Sequence, residues 1–107
     1  MAGVITTHEA VVATETVEFE PSLGTTRSGI FQAKNVSADG SEAVATIVLH
    51  GRLTDLHEWH TVKSFALTSA DSSTAVTNAA AVTLFPLMKV VATETSGNVT
   101  MTASILI

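Results

Sequence analysis

The sequence predicts an all-β protein. It reads as a single antiparallel β-sandwich, jelly-roll or Greek-key like, of about seven or eight strands over residues 11–107, after a short flexible N-terminal arm over residues 1–10. Three observations carry this. Apolar and polar residues alternate with period two along several stretches, the pattern of strands with one buried face. Turn signals separate these stretches at intervals of roughly 8–12 residues. No 3.6-residue periodicity persists for three turns anywhere in the chain.

The clearest stretch is the C-terminal one, VTLFPLMKVVATETSGNVTMTASILI, residues 82–107. It reads as two long strands around a tight hairpin turn. Val90, Ala92 and Glu94 alternate with Val91, Thr93 and Thr95 on the first arm. Val99, Met101, Ala103 and Ile105 share one side of the second, and Thr100, Thr102, Ser104 and Leu106 the other. Ser96-Gly97-Asn98 tolerates the positive φ that short hairpins require. Pro86 has no amide to donate and belongs at a strand start, an edge or a bulge.

Before it, the chain is read in order. Residues 1–10 are weakly patterned, either a loose terminus or an arm that orders against a neighbouring subunit. Residues 11–20 read as a first strand in which Val17 and Phe19 alternate with Glu18 and Glu20, and Pro21 ends it. Residues 22–28 are a loop. A short strand surrounds Ile30, Phe31 and Ala33, followed by Asp39-Gly40, a strong turn signal. Residues 42–53 are the clearest internal strand: Ala43, Ala45, Ile47 and Leu49 alternate with Val44, Thr46, Val48 and His50, apolar enough on both sides for a sandwich strand or a subunit contact. Residues 51–58 are a loop, and Trp59 opens the next strand, with Phe65 and Leu67 on its own side. Residues 75–81 are Ala-rich, which favours helix, but Val76, Thr77 and Asn78 do not. They read as a short strand or turn leading into Val82, Leu84 and Phe85. There is no internal repeat.

Composition bounds the function. A chain of 107 residues fits one domain with a modest core. Charged residues are 14%, below the usual share of about 25%, as expected of a surface partly covered by neighbouring subunits or of a Thr/Ser-rich one. The net charge is −5, and Arg27, Lys34, Arg52, Lys63 and Lys89 are scattered, so no basic cluster serves nucleic acid. No stretch approaches about 18 consecutive apolar residues, and no basic-then-apolar leader opens the chain, so neither a membrane partner nor secretion is expected. The chain holds no cysteine, which excludes disulfides and thiolate metal sites and suits synthesis in a reducing cytoplasm.

Chemistry-bearing residues are few. His50, His57, Glu58 and His60 are the best constellation, since imidazoles bind zinc, copper or nickel without cysteine. Their order is not His-Glu-x-x-His and the stretch is not helical, so loop polarity or hydrogen bonding across a subunit contact competes with a metal. His57 and His60 stand as weak ligand candidates. No nucleophile elbow, paired-carboxylate cleft or phosphate loop appears, so no catalytic residue, cofactor or resident metal is expected, and the protein is read as a non-enzyme. Glycan platforms stack sugars on exposed aromatics. Trp59 is the sole Trp and Tyr is absent, and a Trp at a strand start reads first as a core plug, with Phe65 and Phe85 likewise in the core.

The stretches ATIVLHGRLTDLHEWHTV, residues 45–62, and LFPLMKVVATETSGNVTMTASILI, residues 84–107, resemble small β-sandwich structural proteins of tailed bacteriophages. The shared pattern is a strand ending in Gly, a polar loop, a Trp opening the next strand, and a late strand pair. Gly51, Trp59, Pro86, Lys89, Val90, Thr93, Gly97 and Val99-Thr100 hold those places. The loop before Trp59 departs from the usual Asp-Gly form, because Leu56 follows Asp55. The resemblance implies a capsid decoration, or cement, protein: made in the host cytoplasm, located on the virion capsid surface, homotrimeric, and clamping the major capsid protein. Val44, Val48, Trp59, Phe85, Ile105, Leu106 and Ile107 are then candidate core or subunit and capsid contacts. A tail, head–tail joining or fibre component, or a small carbohydrate- or receptor-binding module, remains the alternative.

Overall fold

The computed structural model describes residues 5–10, 15–20 and 28–106, and the chain forms eight strands without a helix among them. The strands are β1 (Ile5–Ala10), β2 (Glu15–Phe19), β3 (Ser28–Ser37), β4 (Ala43–Arg52), β5 (His60–Ser69), β6 (Val76–Thr83), β7 (Leu87–Ser96) and β8 (Val99–Leu106). They build two four-stranded antiparallel sheets, one in the order β1-β8-β3-β6 and the other β2-β7-β4-β5. This is the jelly-roll arrangement of a β-sandwich. Only the β4–β5 connection joins neighbours within one sheet; every other connection passes from one sheet to the other.

One expectation is corrected by this topology. β7 and β8 are not a hairpin. β7 pairs with β2 and β4, and β8 with β1 and β3, so the Ser96-Gly97-Asn98 turn carries the chain across the sandwich. Gly97 does adopt positive φ, at 76°. A two-residue turn and alternating arms look the same whether the arms pair with each other or face each other, and burial of both inner faces selects the second. Ile5–Ala10 lie within the expected arm, yet they form β1, an edge strand in antiparallel register with Met101 to Leu106 of β8. Residues 1–4 lie outside the described residues. The short or ambiguous stretch before Val82 is a full strand, β6, paired along β3 from Ser28↔Thr83 to Asn35↔Val76.

The core follows the period-two pattern. β4 buries Ala43, Ala45, Ile47 and Leu49; β8 buries Val99, Met101, Ala103 and Ile105; β7 buries Met88, Val90 and Ala92. From β3 and β5 come Phe31 and Phe65, whose rings stack across the sandwich at 5.4 Å. Burying a side chain such as Phe31, Ile47 or Ile105 contributes about 2 kcal/mol of transfer free energy. The alanines let the backbones of facing strands approach while the Phe pair and the two Met side chains fill the remaining space.

One end of the core is polar. Asn35, fully buried on β3, donates through Nδ2 to the carbonyls of Ala43 (2.9 Å) and Leu67 (3.0 Å), tying its sheet to β4 and β5 of the other. Ser69 Oγ accepts from the Ser37 amide and donates toward the carbonyls of Asp71 and Thr74. Pairing Asn35 Nδ2 and Ser69 Oγ matters because an unmade buried hydrogen bond costs more than a made one gains; Asn35 Oδ1 stays buried without a partner. Around them the loops fold locally. The Ser41 hydroxyl and amide donate to Asp39 Oδ1, and Ser73 does the same to Asp71 Oδ1. These bonds, the Ser41 and Ser73 hydroxyls foremost, hold both exposed carboxyls below the ordinary 3.8. Asn98 Nδ2 donates to Asp39 Oδ2 at 2.7 Å, and the Ala38 amide donates to the Asn98 carbonyl at 2.9 Å, so the two sheet-crossing turns lock together.

Gly97 is therefore a strict requirement. Besides its positive φ, a Cβ there would collide with the Glu42 carbonyl oxygen and lie 3.0 Å from Ala43 Cα, both backbone atoms. Gly97→Ala is expected to destabilise the fold by about 3 kcal/mol or more. In urea unfolding followed by circular dichroism this appears as a lower midpoint with an unchanged slope.

Candidate functional site

With the inward positions packed, side chains free for chemistry lie on the outer sheet faces and in the loops. The most featured region is at the β4–β5 end of the outer face of sheet β2-β7-β4-β5. The loop between these strands closes on itself: Thr54 O accepts from the His57 amide at 3.2 Å, and Thr54 Oγ1 from the Leu56 amide at 3.3 Å. Arg52, the last residue of β4, donates from Nη1 to the His57 carbonyl at 3.3 Å. The chain then returns past Trp59 into β5, and the Arg52 guanidinium carbon sits 4.1 Å from the centre of the Trp59 ring. Lys89 Nζ, from β7, lies 4.8 Å from the same ring. Both are within cation–π range. Arg52 Nε is buried without a hydrogen-bond partner.

Glu18, Phe19, Glu20, Arg52, Trp59, Leu87 and Met88 line a shallow cleft of about 140 Å³ beside the ring. β2 places Glu18 opposite Lys89, and β4 places His50 opposite Lys89 on the other side. His50 Nδ1 lies 3.5 Å from Thr61 Oγ1. Burial, and next the nearby Lys89 charge, lower the His50 pKa from its ordinary 6.5.

The candidates named from sequence disperse. Trp59 is half-buried and outside the core cluster, so it is not a core plug: residues 54–59 form the loop that turns it onto the outer face, where Arg52 and Lys89 hold it. Val44 and Val48 are likewise half-buried outer-face residues of β4, not core. Phe85 packs against the core from the β6–β7 loop, over Gly51, where a Cβ would collide with its ring. Phe65 and Ile105 are core, Leu106 is 36% exposed, and Ile107 lies outside the described residues. His57 and His60 are exposed; the His60 ring sits 5.9 Å from that of Phe85, while His50 turns to Thr61. Among the described residues no three His, Asp or Glu side chains gather closely enough to hold a metal ion.

Arg52, Lys89, Glu18, Glu20 and Leu87 were not singled out from sequence as neighbours of Trp59. Their convergence depends on β7 pairing with β4 and β2. A β7–β8 hairpin would have placed Lys89 elsewhere.

Neither a protein-family model nor a curated protein sequence matches the chain. Solved structures do share its fold. A carbohydrate-binding module specific for non-crystalline cellulose superposes with a TM-score of 0.58 at 10% identity, covering 92% of this chain and 69% of the module. The mitogen derived from Yersinia pseudotuberculosis superposes with a TM-score of 0.52 at 15% identity, covering 97% of this chain and 85% of the mitogen. At these identities the likeness is one of fold.

The electrostatics of the outer face are testable by NMR. His50 is expected to titrate below 6.5, and Lys89→Gln to raise its midpoint only part of the way back, because burial is the larger cause. A midpoint unchanged by Lys89→Gln would place the Lys89 charge away from His50.

Proposed function

We propose that this chain is a non-enzymatic structural protein of a tailed-phage virion. In this reading it decorates the outside of the head as a homotrimer and clamps neighbouring copies of the major capsid protein. The observation that supports it best is the outer face of sheet β2-β7-β4-β5 beyond the Trp59 cleft. Val48 lies beside Val91 and Ser64, Thr46 beside Thr93 and Ala66, and Val44 beside Thr68, with no charged residue in those three rows. Charge depletion of this kind marks the centre of protein interfaces. A second apolar patch lies on the other sheet, where Ile30 and Leu106 stand opposite each other, 49% and 36% exposed. Two separate patches suit a protein with two kinds of neighbour, its own copies and the shell. The function is then mechanical: each buried contact adds to the pressure the shell withstands.

A second reading, a carbohydrate- or receptor-binding module, is favoured by Trp59, which lies outside the core beside a cleft, and by the fold shared with a cellulose-specific module.

The capsid reading is tested by mixing the purified protein with heads assembled from the major capsid protein of the same virion and sedimenting them. The protein is expected to pellet with the heads. A Val48→Lys/Val91→Lys variant that keeps its circular dichroism should lose about tenfold or more in affinity, because it buries charge at the contact. Wild-type protein left in the supernatant, or a variant that binds equally well, would contradict the reading.

A further inference from the structure

We infer that the Trp59 cleft is a binding site for a neutral sugar, with Trp59 as part of its apolar wall and Glu18 and Glu20 as its hydroxyl-recognising groups; this rests on the binding-module reading and is independent of the capsid reading. The cleft combines three chemistries. Its apolar part comes from Trp59, Leu87 and Phe19. Arg52, which lines it, and Lys89, which lies over the Trp59 ring, are donors; Glu18 and Glu20, exposed on the opposite side, are acceptors. Pockets of this kind, apolar walls with a few convergent polar groups, are the usual form of small-ligand sites.

The charge balance selects the ligand class. Two carboxylates in the lining disfavour an anion such as a phosphate, a sulfate or an acidic sugar. Two cations on the ring disfavour a cationic ligand, which would otherwise seek the indole face. A neutral polyol avoids both penalties. Its hydroxyls donate to carboxylates and accept from guanidinium or ammonium, and its C–H faces lie on apolar walls. Hydrogen bonds to charged groups are the stronger kind, so a few suffice for orientation. A cleft of about 140 Å³ is small and open, which matches one sugar unit of a longer chain running across the sheet rather than an enclosed drug-sized molecule. The preceding loop explains how the indole wall is held. Arg52 fixes the His57 carbonyl and packs on Trp59, so the indole is oriented before any ligand arrives.

Because Trp59 is the only Trp, its fluorescence reports on this cleft alone. The full chain is titrated with cellohexaose, mannohexaose and laminarihexaose, and in parallel with a heparin hexasaccharide and a sialylated oligosaccharide. Affinities are checked by calorimetry. At least one neutral hexaose is expected to shift the emission, with a Kd between about 10 μM and 1 mM. Trp59→Ala should abolish the heat of binding. Glu18→Gln/Glu20→Gln, both exposed positions that leave the fold intact, should weaken it by about tenfold. Tighter binding of the acidic oligosaccharides would overturn the ligand class while leaving a binding module standing. No binding by any oligosaccharide would overturn both. Neutral-sugar binding that survives the Glu18→Gln/Glu20→Gln change undiminished would overturn the assignment of the site.

Discussion

Two sheets must close on each other, with no helix among the described residues to cover either outer face, and the rest of the structure depends on that closure. The inward residues of β3, β4, β7 and β8 are nearly all committed to it: the Phe31–Phe65 stack spans the gap, alanines at 33, 45, 92 and 103 let the backbones approach, and Asn35 ties the polar end together. Among the described residues, the side chains left free by this packing lie on the outer faces and in the loops.

The same closure explains which parts of the fold were legible in the sequence. Alternation along β4 and β8 separated the two faces of each strand, because a one-residue slip would exchange them, but on β4, apolar on both sides, it left open which face is core, and Val44 and Val48 stood as core or contact candidates. Ala43, Ala45, Ile47 and Leu49, and Val99, Met101, Ala103 and Ile105, are buried as their spacing requires. Partnership was not legible. Alternation separates the two faces of β7 but does not say whether its neighbour is β8 or β4, and Gly97 serves a crossing turn as well as a hairpin. β6 was ambiguous because its exposed edge carries Ala79, Ala80 and Ala81, whose helical propensity is overridden by pairing with β3. Trp59 was misplaced for a related reason. A large aromatic at a strand start is drawn to the core unless something outside holds it, and here two cations do. Arg52 and Lys89 come from strands whose adjacency no local pattern reveals.

In the proposed readings, function divides along one sheet. Toward its middle, the outer face of β2-β7-β4-β5 is aliphatic and hydroxyl-bearing, with Val48 beside Val91 and Thr46 beside Thr93. Toward the β4–β5 loop it becomes charged and aromatic around Trp59. The first region suits a flat, dry contact with another protein, and the second suits a solvated ligand. The two are adjacent and distinct, so one sheet can be docked on a neighbour while its loop end stays open to solution. In the proposed readings, that arrangement gives the low overall charge and the clustered charge at one end a common rationale, since the centre of a protein contact is depleted of charge.

Electron cryomicroscopy of heads incubated with the purified protein tests the central claim most directly. Added density is expected on the outside of the shell, into which the sandwich fits with the Val44, Val48 and Val91 face of β2-β7-β4-β5 against protein and the Trp59 end toward solvent. Bare heads under saturating protein, or density in which that face is fully exposed to solvent, would contradict it.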